Sequence, residues 1–477
     1  MRIGKLELIV FVCGAAVMVV ELLGSRVLAP YMGNSIYTWA SLIGVVLGAL
    51  AFGYYIGGRA ADRSKTFRVL GFVVLGAALA TFAIIPLSPI AQLAILTGPK
   101  LGPLIASIIL FAPASILFGM VSPYAIRLKA EQLSKVGSTA GNLYAISTTG
   151  SIFGTLLAGF VLIPSFGVKG LLLSVGAAVA LASFLCFTKK SLGMLAPAAI
   201  VFLAGASLFP MEPPSPGTVV YSAESEYHLI RIVDNKEMGM RSMLIDIFTQ
   251  SSEYFDSDEL AIEYMKCSLV ALEANPNPER VLFLGLGGGT LPKYFLAHTN
   301  ATIDVIELDP AVISSAKDYF GVEESGRMRI MQGDARSALR QLNETYDMIY
   351  MDVFTSHSIP FHLTTVEFMQ EVKGHLHRGG FLAMNLISAA EGHGSGFFAS
   401  EYFTCSEIFA YTYAFPTKND PSEKQNIILL ASDSSIDFEN SEIECAANYL
   451  PNPDTEGAVL LTDDFAPVDN LIATLYD

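Results

Sequence analysis

Apolar residues fill the first 210 positions in blocks of about 20, the length at which a helix crosses the hydrocarbon core of a bilayer. The blocks fall at about 7–30, 36–58, 67–86, 101–127, 139–163, 167–187 and 192–209 and predict an all-α, polytopic membrane domain of about seven helices. A shorter apolar piece at 87–97, bordered by Pro86 and Pro89, is too short to span and predicts an interfacial or re-entrant segment. Beyond position 217 the pattern changes. Short apolar or β-branched runs, VLFL, TIDVIE and YDMIYM, are bounded by Gly, Asp or Pro and separated by helical patterns. Such runs predict buried parallel strands in a doubly wound α/β domain. Between the two regions, 211–217 is proline-rich and predicts a fairly stiff linker.

Charge follows the same division. Residues 1–210 hold 14 Lys and Arg against 4 Asp and Glu, whereas 211–477 hold 15 against 41, so the overall net charge of −16 joins a basic half to a strongly acidic one. The first block contains Glu21 and Arg26 and lacks a small-residue cleavage pattern, which predicts a retained span rather than a removable signal. Cations mark the cytoplasmic side of membrane proteins. Arg59, Arg63, Lys65 and Arg68 follow the second block, Arg127, Lys129 and Lys135 the fourth, and Lys189 and Lys190 the sixth. With seven spans and the amino terminus inside, this places the acidic domain on the extracytoplasmic face of a multi-pass cell-membrane protein. Glu21, Arg26, Asn142, Tyr144, Ser147, Thr148 and Thr149 are costly in lipid, and read either as a polar path or as groups that snorkel or bond their own helix. Gly150, Gly154 and Ala158 form a small-residue stripe that predicts close helix packing.

The chemistry concentrates at 281–352. Behind the run VLFL stands Gly285-Leu286-Gly287-Gly288-Gly289-Thr290, and carboxylates follow at Glu307, Asp334 and Asp352. Ligands of such sheets sit outside the carboxyl ends of the strands, where these residues converge. Gly285 and Gly287 let the backbone approach a ligand, and Glu307, about 20 residues on, stands where nucleotide-binding folds put a carboxylate on ribose hydroxyls. The turn lacks the last glycine of GxGxxG and any GK[ST], so an adenosyl group without phosphates fits it better than a nucleotide. Asp334, followed by Ala335, is placed to accept from an exocyclic adenine amine. Asp352 faces the same cleft with no partner in its own segment. Taken singly, each acid reads more readily as a helix cap or a solvated turn; three in register behind a glycine-rich turn point to a ligand site.

These residues carry a resemblance. With Ser225-Glu226-Tyr227-His228, Leu244-Ile245-Asp246 before Gln250, VLFLGLGGGTL, VIELDPAVI, QGDAR, YDMIYMDVF, SIPFHLTTVEF, Phe415-Pro416-Thr417 and LTDDFAPVDNL, the chain resembles the polyamine aminopropyltransferases, spermidine synthase-like proteins, and among them the branch fused to a membrane domain. The resemblance implies a small β-rich domain at 218–275 and a Rossmann-like domain of methyltransferase type at 276–477. It implies aminopropyl transfer from decarboxylated S-adenosylmethionine, a co-substrate, to a small-molecule amine, leaving 5′-methylthioadenosine. Asp352 matches the general base, Glu307 the ribose ligand, Asp334 the adenine contact, Gln250 a donor contact, and Tyr227 with His228 the wall of the amine pocket. Soluble relatives commonly form dimers near the small β-domain, so a homodimer is among the expected partners together with the lipid bilayer; no nucleic-acid partner is expected.

Departures from the family pattern bear on the acceptor. Its second loop acid is replaced by Thr355, and the Tyr after its Pro-Thr pair by Lys418. An ammonium in a partly dry cleft disfavours a dication, so an amine that also carries a carboxylate, or a lipid headgroup, would suit Lys418, with His357 sharing the amine contact. The competing reading turns Lys418 to solvent from a polar loop. Asp258 or Glu259 reads as a ligand of the donor's amine, or equally as a helix-start acid. Intact S-adenosylmethionine with methyl transfer or lyase chemistry, and a non-catalytic polyamine or nucleoside sensor or transporter, remain alternatives; the motif GRAADR at 58–63 resembles a loop of major-facilitator transporters over six residues only. Cysteines at 13, 186, 267, 405 and 445 show no metal spacing, so neither a disulfide framework nor a metal site is expected; a pair between Cys405 and Cys445 is allowed if the domain is external. His362, His375 and His377 read as surface or pocket histidines.

Overall fold

The computed structural model describes residues 4–130, 135–163, 166–187, 189–209, 211, 213–354, 359–439 and 441–476. The chain divides into two compact units, Met1–Pro213 and Pro214–Asp477. Thr355 and His357 lie outside the described residues.

The first unit is helical: α1 (Lys5–Met32), α2 (Ile36–Arg63), α3 (Phe67–Leu87), α4 (Gly98–Leu110), α5 (Ala112–Lys129), α6 (Val136–Leu157), α7 (Val168–Phe184) and α8 (Lys189–Leu208). Among the described residues four helices are long and apolar enough to cross a membrane, and α4 with α5 makes a fifth if the bent pair is one span. The expected seven are thus met only in part among the described residues. The apolar block 101–127 is broken by 53° between α4 and α5, because Pro113 cannot donate the backbone hydrogen bond that would continue the helix. The block 167–187 yields only the 17-residue α7, and most side chains of the first half of α8 lie outside the description. The segment 87–97 forms short helical turns, too short to span.

Small residues set the packing. A Cβ at Gly150 or Gly154 of α6 would strike the backbone of α1 at Phe11 or Ala15, and one at Gly53 or Gly57 of α2 would strike α5. The Gly150 and Gly154 positions thus serve close helix contact. Thr149 bonds the Ala145 carbonyl one turn back at 2.8 Å, satisfying its hydroxyl within its own helix. The basic ends of α2 and α5 meet: Arg127 pairs with Asp62 at 3.0 Å, the Lys65 ammonium reaches the Ala130 carbonyl at 3.1 Å, and Lys129 pairs with Glu7 at the start of α1.

The second unit holds a four-stranded antiparallel sheet and a seven-stranded sheet. The first runs β1 (Thr218–Glu224), β2 (Leu229–Asn235), β3 (Met240–Ile245), β4 (Phe248–Tyr254) in sequence order. The second comprises β5 (Arg280–Leu284), β6 (Thr302–Glu307), β7 (Met328–Gln332), β8 (Tyr346–Met351), β9 (Leu376–Ser388), β10 (Tyr411–Pro416) and β11 (Gln425–Ser432) in the order β10-β11-β9-β8-β5-β6-β7. All neighbouring pairs from β9 to β7 are parallel, and β11 runs antiparallel to both of its neighbours. The runs VLFL, TIDVIE and YDMIYM are β5, β6 and β8, buried on both faces as near-continuous apolar strands must be. An additional strand, β7, precedes Asp334. Its sequence MRIMQ is interrupted by Arg329 and lies at the sheet edge, so it lacks the continuous apolar signature of its neighbours.

One covalent tie differs from expectation. Cys445 is disulfide-bonded to Cys267, not to Cys405, which is buried and free. The bond joins α9 (Glu263–Cys267) to the turn Glu444–Asn448, two segments 178 residues apart whose closeness no local pattern displays.

Candidate active site

A cavity of about 220 Å³ opens at the carboxyl ends of β5, β6 and β8. Its wall includes Gly285, Gly287, Glu307, Asp334, Ala335 and Asp352, with Tyr227, His228 and Gln250 from the small-sheet side and Tyr264, Asp309 and His362. The three carboxylates expected to converge therefore share one hollow. The glycine turn makes the closeness possible. Gly285 has φ +96° and a Cβ there would collide with the Asp352 carbonyl; only glycine adopts that conformation freely.

Glu307 ends β6. One of its oxygens accepts from the Leu286 N–H at 2.9 Å and the other from the Asp309 N–H at 2.9 Å. Burial pushes its carboxyl up, and these two N–H donors oppose the push. Asp309 caps the helix Pro310–Phe320 by accepting from the Ala311 N–H and also accepts from the Ser225 hydroxyl. Ser225 in turn accepts from the N–H groups of Tyr227 and His228, which fixes that loop against the large sheet. Asp334 is both a helix cap and a pocket group: one oxygen accepts from the Ser337 N–H at 2.9 Å and the other lies 2.9 Å from His362 Nε2. Burial raises its carboxyl, but the Ser337 and His362 bonds win and hold it below the usual carboxylate range.

His228 is oriented from behind. Its Nδ1 lies 2.9 Å from Asp246 Oδ2, while Asp246, at φ +58°, also accepts from the Leu229 N–H and offers its carbonyl to buried Arg231. Burial works against the imidazolium, yet the Asp246 carboxylate and the more distant Asp309 and Glu307 leave its pKa raised. Asp352 follows β8. Asn385 Nδ2 donates to one oxygen at 2.9 Å and the Tyr264 hydroxyl to the other at 3.1 Å. Burial raises Asp352 and the two donors only partly offset it, so the carboxylate is a stronger base than one in water.

Two expected residues stand elsewhere. Asp258 lines a separate, shallow groove with Glu259, Lys266 and Tyr294; residues 255–262 carry the chain away from the cavity before α9 brings Tyr264 back. Lys418 is directed to solvent and bonds Glu423 at 2.8 Å, as its polar loop would favour. The residues not singled out from sequence as site members, Tyr264, Asp246, Asp309, His362 and Asn385, act through partners from distant segments. Among the described residues no group of His, Cys, Asp and Glu is placed to hold a metal ion.

A mainly parallel sheet in this order, with a single antiparallel strand and a cavity at its carboxyl edge, defines a methyltransferase-type α/β domain. Within it, residues 264–420 match the family model described as the spermine/spermidine synthase domain. It is 29% identical over 281 residues to a polyamine aminopropyltransferase of Vibrio vulnificus, covering 53% of this chain and 91% of the relative. It is 28% identical over 193 residues to the human eEF1A lysine and N-terminal methyltransferase, covering 34% and 28%. Among solved structures, a probable spermidine synthase from Corynebacterium glutamicum matches at 23% identity with a TM-score of 0.42, over 47% of this chain and 84% of that one.

Proposed function

We propose that the C-terminal unit is an aminopropyltransferase that moves the aminopropyl group of decarboxylated S-adenosylmethionine to an amine, releasing 5′-methylthioadenosine. The observation that carries this is Asp352, held by Tyr264 and Asn385 in the cavity that Glu307 and Asp334 share. An alkylammonium has a pKa of roughly 10.4, so the acceptor needs a base at neutral pH. In this reading Asp352 takes the proton, the nitrogen lone pair attacks the carbon attached to the sulfonium, and the C–S electron pair leaves on sulfur. No further activation is required, because the sulfonium is already a good leaving group; the remaining task is alignment. Glu307 would take the ribose hydroxyls and Asp334 with Ala335 the adenine edge. Gln250 would contact the donor, and Tyr227 and His228 would line the amine side.

Methyl transfer from intact S-adenosylmethionine is the competing reading. The human methyltransferase relative favours it. Incubation with either donor and a panel of amines, with products identified by mass spectrometry, separates the readings. Amine-dependent methylthioadenosine supports aminopropyl transfer, S-adenosylhomocysteine replaces it with methyl transfer, and methylthioadenosine without any amine indicates a lyase.

The four or five long apolar helices and their basic ends support anchoring in a membrane. The Cys267 to Cys445 disulfide supports exposure of the C-terminal unit to an oxidising, extracytoplasmic compartment.

A further inference from the structure

We infer that Asn385 and Asn426 are positioning residues that fix and tune Asp352, an inference that rests on the reading of Asp352 as the base. The arrangement follows from strand register. Met351 of β8 pairs with Met384 of β9, so the next residues along, Asp352 and Asn385, lie side by side. On the other side β9 runs antiparallel to β11, with Asn385 opposite Ile428 and Ile387 opposite Asn426. Asn385 and Asn426 are thus diagonal neighbours on one face, within reach of each other's side chains. The result is a line of hydrogen bonds across three adjacent strands: Asn426 Nδ2 donates to Asn385 Oδ1 at 2.9 Å, and Asn385 Nδ2 donates to Asp352 Oδ1 at 2.9 Å.

An asparagine amide can present either its oxygen or its nitrogen, and toward a carboxylate only the nitrogen attracts. Asn385 is 3% exposed and sits among the apolar residues of MNLIS, where an unpaired amide is costly. Asn426 engages the Asn385 oxygen and so commits the nitrogen to Asp352. Two consequences follow. The carboxylate is held in one rotation, with Tyr264 on its other oxygen. It also keeps a donor that favours its ionised form against the burial that disfavours it. The titratable neighbours are Tyr264 from α9 and Tyr350 from β8, whose hydroxyl bonds Ser268; Glu307, Asp309, Asp334, His228 and His362 share the cavity.

The test compares N385L, N426L and the unaltered full chain by infrared titration, following the carboxyl band that D352N removes. This readout needs no turnover. N385L should move the midpoint upward by about one pH unit, a tenfold weaker acid, and N426L should move it in the same direction by less. N426L alters a residue one bond further from the base, so it serves even if N385L does not fold. In parallel the acid limb of kcat/KM should shift with the midpoint while methylthioadenosine affinity, measured by calorimetry, stays within about twofold. Midpoints unchanged in the variants that fold would overturn the inference. Shifted midpoints in a protein that makes no amine-dependent product would retain the relay and remove the proposed reaction.

Discussion

Glu401 is buried in the helix Gly396–Ser406 with both carboxylate oxygens lacking a hydrogen-bond partner among the described residues. Burial pushes its carboxyl well above the usual range, so the fold favours the protonated form. A raised pKa contributes stability that is full below the unfolded value, about 4.3, and is lost as pH rises through the folded value. Glu401→Gln should therefore flatten the decline of denaturation midpoint with rising pH, and an unchanged slope would contradict the assignment. Asp352 has the same sign, because burial raises it beyond what Asn385 and Tyr264 offset. Asp352→Asn should stabilise the unit near neutral pH, with the gain disappearing below about pH 4. At this scale the sequence exposes Glu307 and Asp352, because each ends or directly follows a continuous apolar run, and Asp334 by its place in the QGDAR segment. It hides Tyr264 and Asn385, whose contacts to Asp352 arise only when β8, β9 and α9 assemble. Asp258 and Lys418 show the reverse: position in the family pattern allows a ligand role beside a helix-start acid or a solvent-facing lysine, and the loops carrying them run elsewhere.

Among the elements, α9 bears most directly on the site. It has five residues, with Tyr264 second and Cys267 last. So short a helix has no stability of its own and is held by packing and by the disulfide to Cys445. Closing a loop of 178 residues stabilises by about 5 kcal/mol in the chain-entropy picture. Cys445→Ser, or reduction by a dithiol, should lower the urea midpoint of the C-terminal unit accordingly and weaken catalysis through Tyr264. No change in either quantity would remove α9's dependence on the bond. Strands β5, β6 and β8 were legible because burial on both faces demands continuous apolar runs, whereas edge strand β7 is short and interrupted by Arg329. Helix number was less legible. A hydropathy run does not register the break between α4 and α5, nor that only 17 residues of 167–187 become α7.

For the whole molecule, charge and hydropathy together divide the chain near the boundary at Pro213 and Pro214. The basic ends of α2 and α5 meet beside Glu7, as loops on one side of a bilayer would. If the acidic unit is extracytoplasmic, protease added to right-side-out vesicles should digest 214–477 and spare it in inverted ones; the opposite pattern would reverse the orientation and place the cavity among cytoplasmic amines. Across all scales the account depends on one event, the loss of a proton from an attacking amine to Asp352. The direct measurement is amine-dependent methylthioadenosine formation by wild type and Asp352→Asn, each saturated with decarboxylated S-adenosylmethionine. The account predicts a loss of about 10²–10⁴-fold with donor affinity preserved; equal rates in the two proteins would contradict it.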